Sequence, residues 1–403
     1  MKIADSKIIK LILAALALPF VLLIRILSPF LIVRICILDL GRIGDVLPHF
    51  DMFMYGRKTG PCGLRYFDMC SFKRGGIANY QVKKMVERTI PIYPFGFWVD
   101  KVNKRIVGWE KHVVREKSRL GFDLAGQKPP IRFTQKEQEY GQREMRRLGI
   151  PPNTPFICFH SRDVSYLRTH QPEINWDYHS YRNADINNYL PAVEKLVNKG
   201  YCAIRMGRFV VQEIKTDSPK IIDYAFNGGT DFLDVYLSAH CRFFMAGSDG
   251  LAYMPTIFRR PVIWIDYIPL HALSFHPPLR GHLMIPKKLW LIKEKRFLTF
   301  NEMLNTKVVG YDRTEDYQKA GIEVIDNPPE EIEDVAIEME ERLNGTWEET
   351  EEDKELQERF HRLVGVQKGN DFWGLIGAKF LRNHKKLLEL SPSRSAERAI
   401  LCD

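Results

Sequence analysis

Four short stretches place charged or hydroxylated residues directly after apolar runs, where the end of a strand would present them to a ligand. Gly41-Arg42-Ile43-Gly44-Asp45 follows the run RICILDL. The glycines of this turn let backbone approach a ligand closely, and Asp45 suits a general base; a helix N-cap is the plainer role for an aspartate there. His160-Ser161-Arg162-Asp163 follows PFICFH. Arg162 can clamp a phosphate bidentately and His160 can take or give a proton, whereas a salt-bridged turn of Arg162 with Asp163 needs no ligand. Arg205-Met206-Gly207-Arg208 closes YCAIRM with two arginines around a glycine, which suits an anion or a solvated surface pair. Gly247-Ser248-Asp249-Gly250 ends the run FFMA and opens a helix, whose free N–H groups attract a diphosphate.

The elements that must carry these turns follow from periodicity. Arg34–Leu40, Pro155–His160, Tyr201–Met206, Arg242–Ala246 and Pro261–Ile265 are short, nearly continuous apolar runs of the buried-strand type. Between them, Ile186–Val197, Phe232–Ala239 and Leu251–Phe258 have helical spacing, and Gly200 stops the first of these. Strand–helix alternation at this interval predicts βαβ units and a parallel sheet. Thr134 with Glu137 forms a capping box that starts a helix ahead of a second domain. Residues 55–119 are basic and aromatic, and PIYPFGFWVDKVNK is expected to form irregular surface loops. The acidic stretch 329–363 and the basic tail 372–398 are expected to be helical.

Charge and composition narrow the partners. The chain of 403 residues is 45% hydrophobic and carries a net charge of +9, a globular composition with room for more than one core. Residues 1–150 hold 27 Lys and Arg against 13 Asp and Glu, whereas the remainder holds 32 against 37. A basic half seeks phosphate, on nucleic acid or on anionic lipid. The apolar segment Ile8–Ile35 beside it selects lipid. Its longest charge-free run, Leu11–Ile24, falls short of the ~20 residues that span a bilayer, and no A-x-A-like cleavage site follows. A monotopic anchor or a single span on the cytoplasmic face of the cytoplasmic membrane is expected, with an anionic membrane surface as partner and no nucleic acid. The seven cysteines are scattered without a C-x-x-C, which argues against a zinc site or a disulfide framework and for a reducing compartment.

Taken together, the four turns resemble known families. The strand–GSDG–helix–RRPVI block at 243–266 is similar to the donor-binding segment of GT-B glycosyltransferases, and IGD at 43–45 resembles the first-strand motif of heptosyltransferases. More closely, HSRDVSYL, HSYRNADINNYLPAVEKLVNKGYCAIRMGR (179–208), GSDGLAYMP, PKKLW, LTFNEML, AGIEVIDNPPEEI and LQERFHRLV resemble a bacterial family classed as glycosyltransferases by sequence alone, across roughly residues 150–365. Heptosyltransferases carry a histidine four positions after their aspartate, where this chain has Tyr253, so a heptose donor does not follow.

The resemblance implies an α/β, GT-B architecture: two Rossmann-like domains facing across a cleft. The expected divisions are a membrane-associating segment at 1–33, an acceptor domain at 34–150, a nucleotide-sugar domain at 151–328, and carboxy-terminal helices at 329–403 packing back across both. It implies Asp45 as base with His160 in reserve. Arg162, Asp163, Arg205, Gly207, Ser248, Asp249 and Gly250 would lie on the donor, and Arg42 and Gly44 on the acceptor side. The acceptor would be a glycan or lipid-linked, the nucleotide-sugar a substrate rather than a cofactor, and no metal is expected. No Asp-x-Asp triplet occurs to hold one. A sugar-nucleotide epimerase or hydrolase on the same fold, and a non-catalytic membrane scaffold, are the alternatives.

Overall fold

The computed structural model describes residues 7–58, 65–114, 126–170, 172–173, 175–210, 212–270, 281–365 and 374–390. The chain divides into two compact units, 1–119 with 129–133, and 120–128 with 134–403.

The first unit begins with helix α1 (Lys7–Ile26), followed by β1 (Ile32–Leu38), α2 (Ile43–Lys58), β2 (Tyr66–Phe72), α3 (Tyr80–Thr89) and α4 (Gly96–Asn103). Strands β1 and β2 pair in parallel from Ile32↔Tyr66 to Leu38↔Phe72. Single bridges at Ile35↔Val113 and Cys70↔Ile92 widen this pair. Among the described residues this is the whole sheet, so the expected Rossmann-like amino-terminal half is reduced to one βαβ unit. The irregular loops expected over 91–104 are also corrected, because α4 lies there, and β2 and α3 precede it in the basic stretch. Strand β2 was hidden by Asp68, whose carboxylate is bound by Arg34 and Arg57. Helix α4 starts where Gly96 meets the β2 side chains; a Cβ there would stand 3.1 Å from Met69 and 3.2 Å from Ser71.

The second unit opens with α5 (Gln135–Arg147), capped by Thr134 and Glu137 as the sequence predicts. It belongs here rather than to the first domain: Gly141 lies so close to the Tyr236 ring that a Cβ would fall 2.2 Å from it. Next come β3 (Phe156–His160), α6 (Ser165–His170), a 3-10 turn Asp177–Arg182, α7 (Leu190–Asn198), β4 (Cys202–Arg205), β5 (Ile221–Ile222), α8 (Asp231–His240), β6 (Phe244–Ala246), α9 (Tyr253–Ile257) and β7 (Val262–Tyr267). Then follow β8 (Leu283–Pro286), β9 (Lys288–Leu291), β10 (Arg296–Phe297), α10 (Phe300–Asn305), α11 (Thr314–Lys319), β11 (Ile322–Ile325), α12 (Pro329–Asn344), α13 (Glu351–Leu363), β12 (Leu375–Ile376) and α14 (Ala378–Asn383).

Seven of these strands form one sheet in the order β12-β8-β7-β6-β3-β4-β5. Every pairing in it is parallel. Helices on both faces explain why its central strands are continuously apolar rather than alternating. Counting from β3, the order is the 3-2-1-4-5-6 arrangement of a doubly wound sheet with one strand added. Its reversal point falls between β3 and β6. Ile332, Val335, Ala336, Met339, Leu356 and Phe360 from α12 and α13 are buried in the same core, so these helices are a layer of this unit. Burying each of these side chains except that of Ala336 is worth about 1.5–3 kcal/mol. Within the tail read as helical, residues 375–376 form edge strand β12; residues 372–373 and 391–398 of that tail lie outside the described residues.

Candidate functional site

At the reversal point the carboxyl ends of β3 and β6 diverge, and the turns that leave them bring His160, Arg162, Ser248 and Asp249 together. His160 Nδ1 lies 2.9 Å from the Met206 carbonyl, which can only accept, so the ring proton sits on Nδ1. Nε2 then faces Asp249 Oδ2 at 3.7 Å. Asp249 spends its other oxygen on the backbone N–H groups of Leu251 (2.8 Å) and Ala252 (3.2 Å) ahead of α9. Its Oδ2 is buried without a hydrogen-bond partner among the described residues. Two acceptors thus oppose each other with no proton between them. A second proton on the ring satisfies both, and a hydroxyl placed there donates to one of them.

Beside this pair stand two guanidinium groups. Arg162 is buried and donates to the His179 carbonyl (2.9 Å) and Asn183 Oδ1 (2.8 Å). Arg182, at the end of the 3-10 turn, donates to the Ser248 carbonyl, and its Nε is buried without a partner among the described residues. Burial, reinforced by the like charge of Arg182, brings the Arg162 guanidinium down to about 10, against an opposing pull from Asp249. The 3-10 turn is fixed by Thr314, whose Oγ1 meets Ser180 Oγ at 2.9 Å and accepts from Tyr181 N at 3.1 Å. Ser248 Oγ accepts from Ile268 N at 3.0 Å, tying the β6 turn to the end of β7.

Lys287, buried at the end of β8, donates to the Asn183 carbonyl and to Asp326, both at 2.5 Å. Asp266 occupies the β7 bulge with φ 55°, and its Oδ1 receives Asn327 N (2.7 Å) and Nδ2 (2.8 Å). Burial drives this carboxyl up to about 6 despite Lys287. Tyr189, fully buried at the start of α7, has a hydroxyl without a partner among the described residues, and burial with the charges of Asp266 and Asp249 pushes its pKa up and keeps the phenol protonated.

The other residues singled out in the sequence are placed as follows. Asp163 accepts from Ser165 N at 2.8 Å and opens α6 rather than bridging Arg162. Arg205 is buried with its guanidinium on Gln212 O (2.7 Å) and Asp223 (3.0 Å), so its charge is already matched. Gly207 has φ 125°, and a Cβ there would stand 3.1 Å from His160 Nδ1, which makes the glycine a requirement of the ring's position. Arg208 pairs with Asp231 and Asp234. Gly250 begins the turn into α9, its carbonyl accepting from Tyr253 N at 3.3 Å.

In the first unit, Gly44 and Asp45 lie in the first turn of α2, and the Arg42 carbonyl accepts from Asp45 N and Val46 N. Asp45 is the third helical residue, not the N-cap, and its half-exposed carboxylate has no partner among the described residues. The turn before it is organised by Asp39, which takes Gly41 N at 2.9 Å and Lys73 at 2.5 Å.

Arg182, Asp266 and Lys287 were missed by sequence reasoning. For Arg182 a signal existed: the polar string HSYRNAD precedes the capped turn at Asp185. For Asp266 none did, since it reads as the last residue of an apolar strand. Among the described residues no group of three or more His, Cys, Asp or Glu is placed to hold a metal ion.

No family model matches this sequence, and no curated protein matches it either. Solved structures it is similar to include a glycosyltransferase of family 9 and heptosyltransferases. One is the family 9 glycosyl transferase from Veillonella parvula DSM 2008, with 11% identity and TM-score 0.40 over 63% of this chain and 85% of that one. Another is the E. coli ADP-heptose LPS heptosyltransferase II, with 12% identity and TM-score 0.39 over 62% and 90%. A third is E. coli heptosyltransferase WaaC with ADP, with 10% identity and TM-score 0.28 over 63% and 90%.

Proposed function

We propose that this chain is a membrane-associated, metal-independent glycosyltransferase that moves a sugar from a nucleotide-sugar to a glycan or lipid-linked acceptor with inversion. The observation that supports it is the meeting of Arg162 and Arg182 at the reversal point of a parallel sheet. Two like charges packed into a buried corner cost free energy that a bound dianion recovers, and strand ends at such a point are where doubly wound sheets take nucleotides. The diphosphate lies against these guanidinium groups, and a donor hydroxyl lies between His160 Nε2 and Asp249 Oδ2, where a proton is lacking. In the reaction the acceptor oxygen attacks the anomeric carbon, the bond from that carbon to the diphosphate oxygen breaks, and the acceptor proton passes to a general base, for which Asp45 is the candidate in the first unit and His160 the reserve in the second. The nucleoside diphosphate leaves with its charge held by Arg162 and Arg182.

A screen of nucleoside diphosphates and their sugars by thermal shift tests this reading. A ligand at ~100 times its dissociation constant adds ~2.7 kcal/mol of stability. One base is expected to stabilise the protein, and Arg182→Ala to weaken that ligand about 10–100-fold, the worth of a charge-assisted pair. A cooperatively melting protein that responds to none would remove donor binding and leave the scaffold reading. Hydrolysis or isomerisation of the sugar nucleotide without an acceptor would select the hydrolase or epimerase.

A further inference from the structure

Helix α1 is long and apolar enough to cross a membrane by length and composition, yet its packing divides its circumference in two. Ala17, Val21 and Ile24 are buried against Val33, Ile35, Trp98, Val99 and Val102, with Leu13 and Ala14 beside them. Phe20 meets Phe95 edge-on at 5.4 Å. At 100° per residue, Lys7, Lys10 and Arg25 fall on or beside this same stripe, and the small Ala14 and Ala17 let α4 come close. Arg25 fastens the end of the helix to the Val107 carbonyl (2.6 Å) and to Asn103 Oδ1 (2.9 Å). The opposite face, through Ile8, Ile12, Leu22, Leu23 and Ile26, is apolar and exposed along the whole helix, Ile26 to 72%.

We infer that α1 lies in the plane of one leaflet of an anionic bilayer, with its first unit as the polar side of an amphipathic helix. The inference rests on the membrane association in the proposed function and decides its mode. An in-plane helix needs one face kept out of hydrocarbon, and here the Leu13–Ile24 stripe of that face is covered by protein, with Arg25 fastened beside it and Lys7 and Lys10 exposed beyond its start. A spanning helix has no use for such a division. The stripe that packs on the unit runs from Leu13 to Ile24; among the described residues Lys7–Ile12 lie beyond it, about 9 Å of helix against a hydrocarbon core of ~30 Å. Crossing the bilayer would pull Asp100 and Lys101 of α4 and its C-cap Lys104 into lipid. Charge complementarity names the occupant as anionic lipid: Lys101, Lys104, Arg105 and Lys111 are exposed on α4 and the turn after it, next to the docked helix.

The test uses the full chain with phosphatidylcholine vesicles, with and without phosphatidylglycerol. The protein is expected to float with the anionic vesicles, and Ile12→Glu with Leu22→Glu to reduce flotation about tenfold or more at an unchanged melting temperature. Ile8→Cys should not react with a membrane-impermeant maleimide trapped inside the vesicles, taking the parent chain as background. Lumenal labelling would overturn the inference in favour of a span. Unaltered flotation of the double variant, with a shift from dimer to monomer, would overturn it in favour of an interface between copies. A parent chain that does not float at all would overturn the membrane reading itself, while nucleotide binding and its loss in Arg182→Ala would still stand or fall separately.

Discussion

The turn after β1 and the turn after β3 both set a candidate base at the carboxyl end of a parallel strand, but their surroundings are opposite. Asp45 stands half-exposed with its carboxylate unengaged among the described residues. His160 is held by Met206 on one ring nitrogen, by the close approach of Gly207 on one side, and by Asp249 across 3.7 Å. A group locked in this way is suited to recognising a ligand of one shape. An unengaged carboxylate is suited to receiving a proton from a group that arrives. The same contrast runs through the two units, since the first keeps much of its apolar and basic surface outside and the second buries a seven-stranded sheet.

Removing the proton acceptor is the hardest blow to this comparison. Asp45→Asn is expected to lower turnover ~10²–10⁴-fold with nucleotide binding unchanged, read from single-turnover rates and calorimetry. If His160→Gln instead abolishes turnover while Asp45→Asn is silent, the two turns have exchanged roles. Gly141→Ala tests where the units divide: with Tyr236 2.2 Å from the new methyl, α5 must shift, at a cost of about 3 kcal/mol in the unfolding of the second unit. A melting curve unaffected by this change would return α5 to the first unit. Gly207→Ala combines a left-handed φ with a 3.1 Å approach to His160 and is expected to cost about 2 kcal/mol. It should also weaken nucleotide binding, whereas Gly44→Ala should leave that binding alone.

The smallest effect is a pH dependence. Asp266 titrates near 6 in the folded protein, above its ordinary carboxyl value, because burial disfavours its charge. Its folded form holds a proton that the unfolded chain has already lost. The stability it contributes is therefore present below about pH 4 and is lost as pH rises to about 6. Asp266→Asn should flatten that part of the profile by on the order of 2 kcal/mol, measured as the difference in urea midpoints between variant and parent. An unchanged difference would mean that Asp266 is ionised throughout.

Much of the second unit was legible because its central strands are nearly pure apolar runs, which only a sheet covered on both faces buries. Cys202–Arg205 and Val262–Tyr267 were visible in this way, and so was the α5 capping box. Strand β2 was not, since Asp68 reads as a break until Arg34 and Arg57 neutralise it. Of the site, His160, Arg162, Ser248 and Asp249 stood out by lying after strands. Arg182 comes from a 3-10 turn whose place is set by Thr314, some 130 residues away, a contact no local pattern announces.

By itself the sequence determined where the central strands of the second unit lie, that they run parallel, which turns carry charge, and that the amino-terminal half is basic with an apolar segment beside it. These are properties of short segments, since periodicity, capping and burial preference act over a few residues. Tertiary structure alone decided that β3 and β6 are neighbours, that Arg205 is matched by Asp223 while Arg162 faces Arg182, and that one stripe of α1 is covered. The physical reason is that a charge's partner and a helix face's exposure depend on which distant segments pack beside them, and packing is set by the whole core at once.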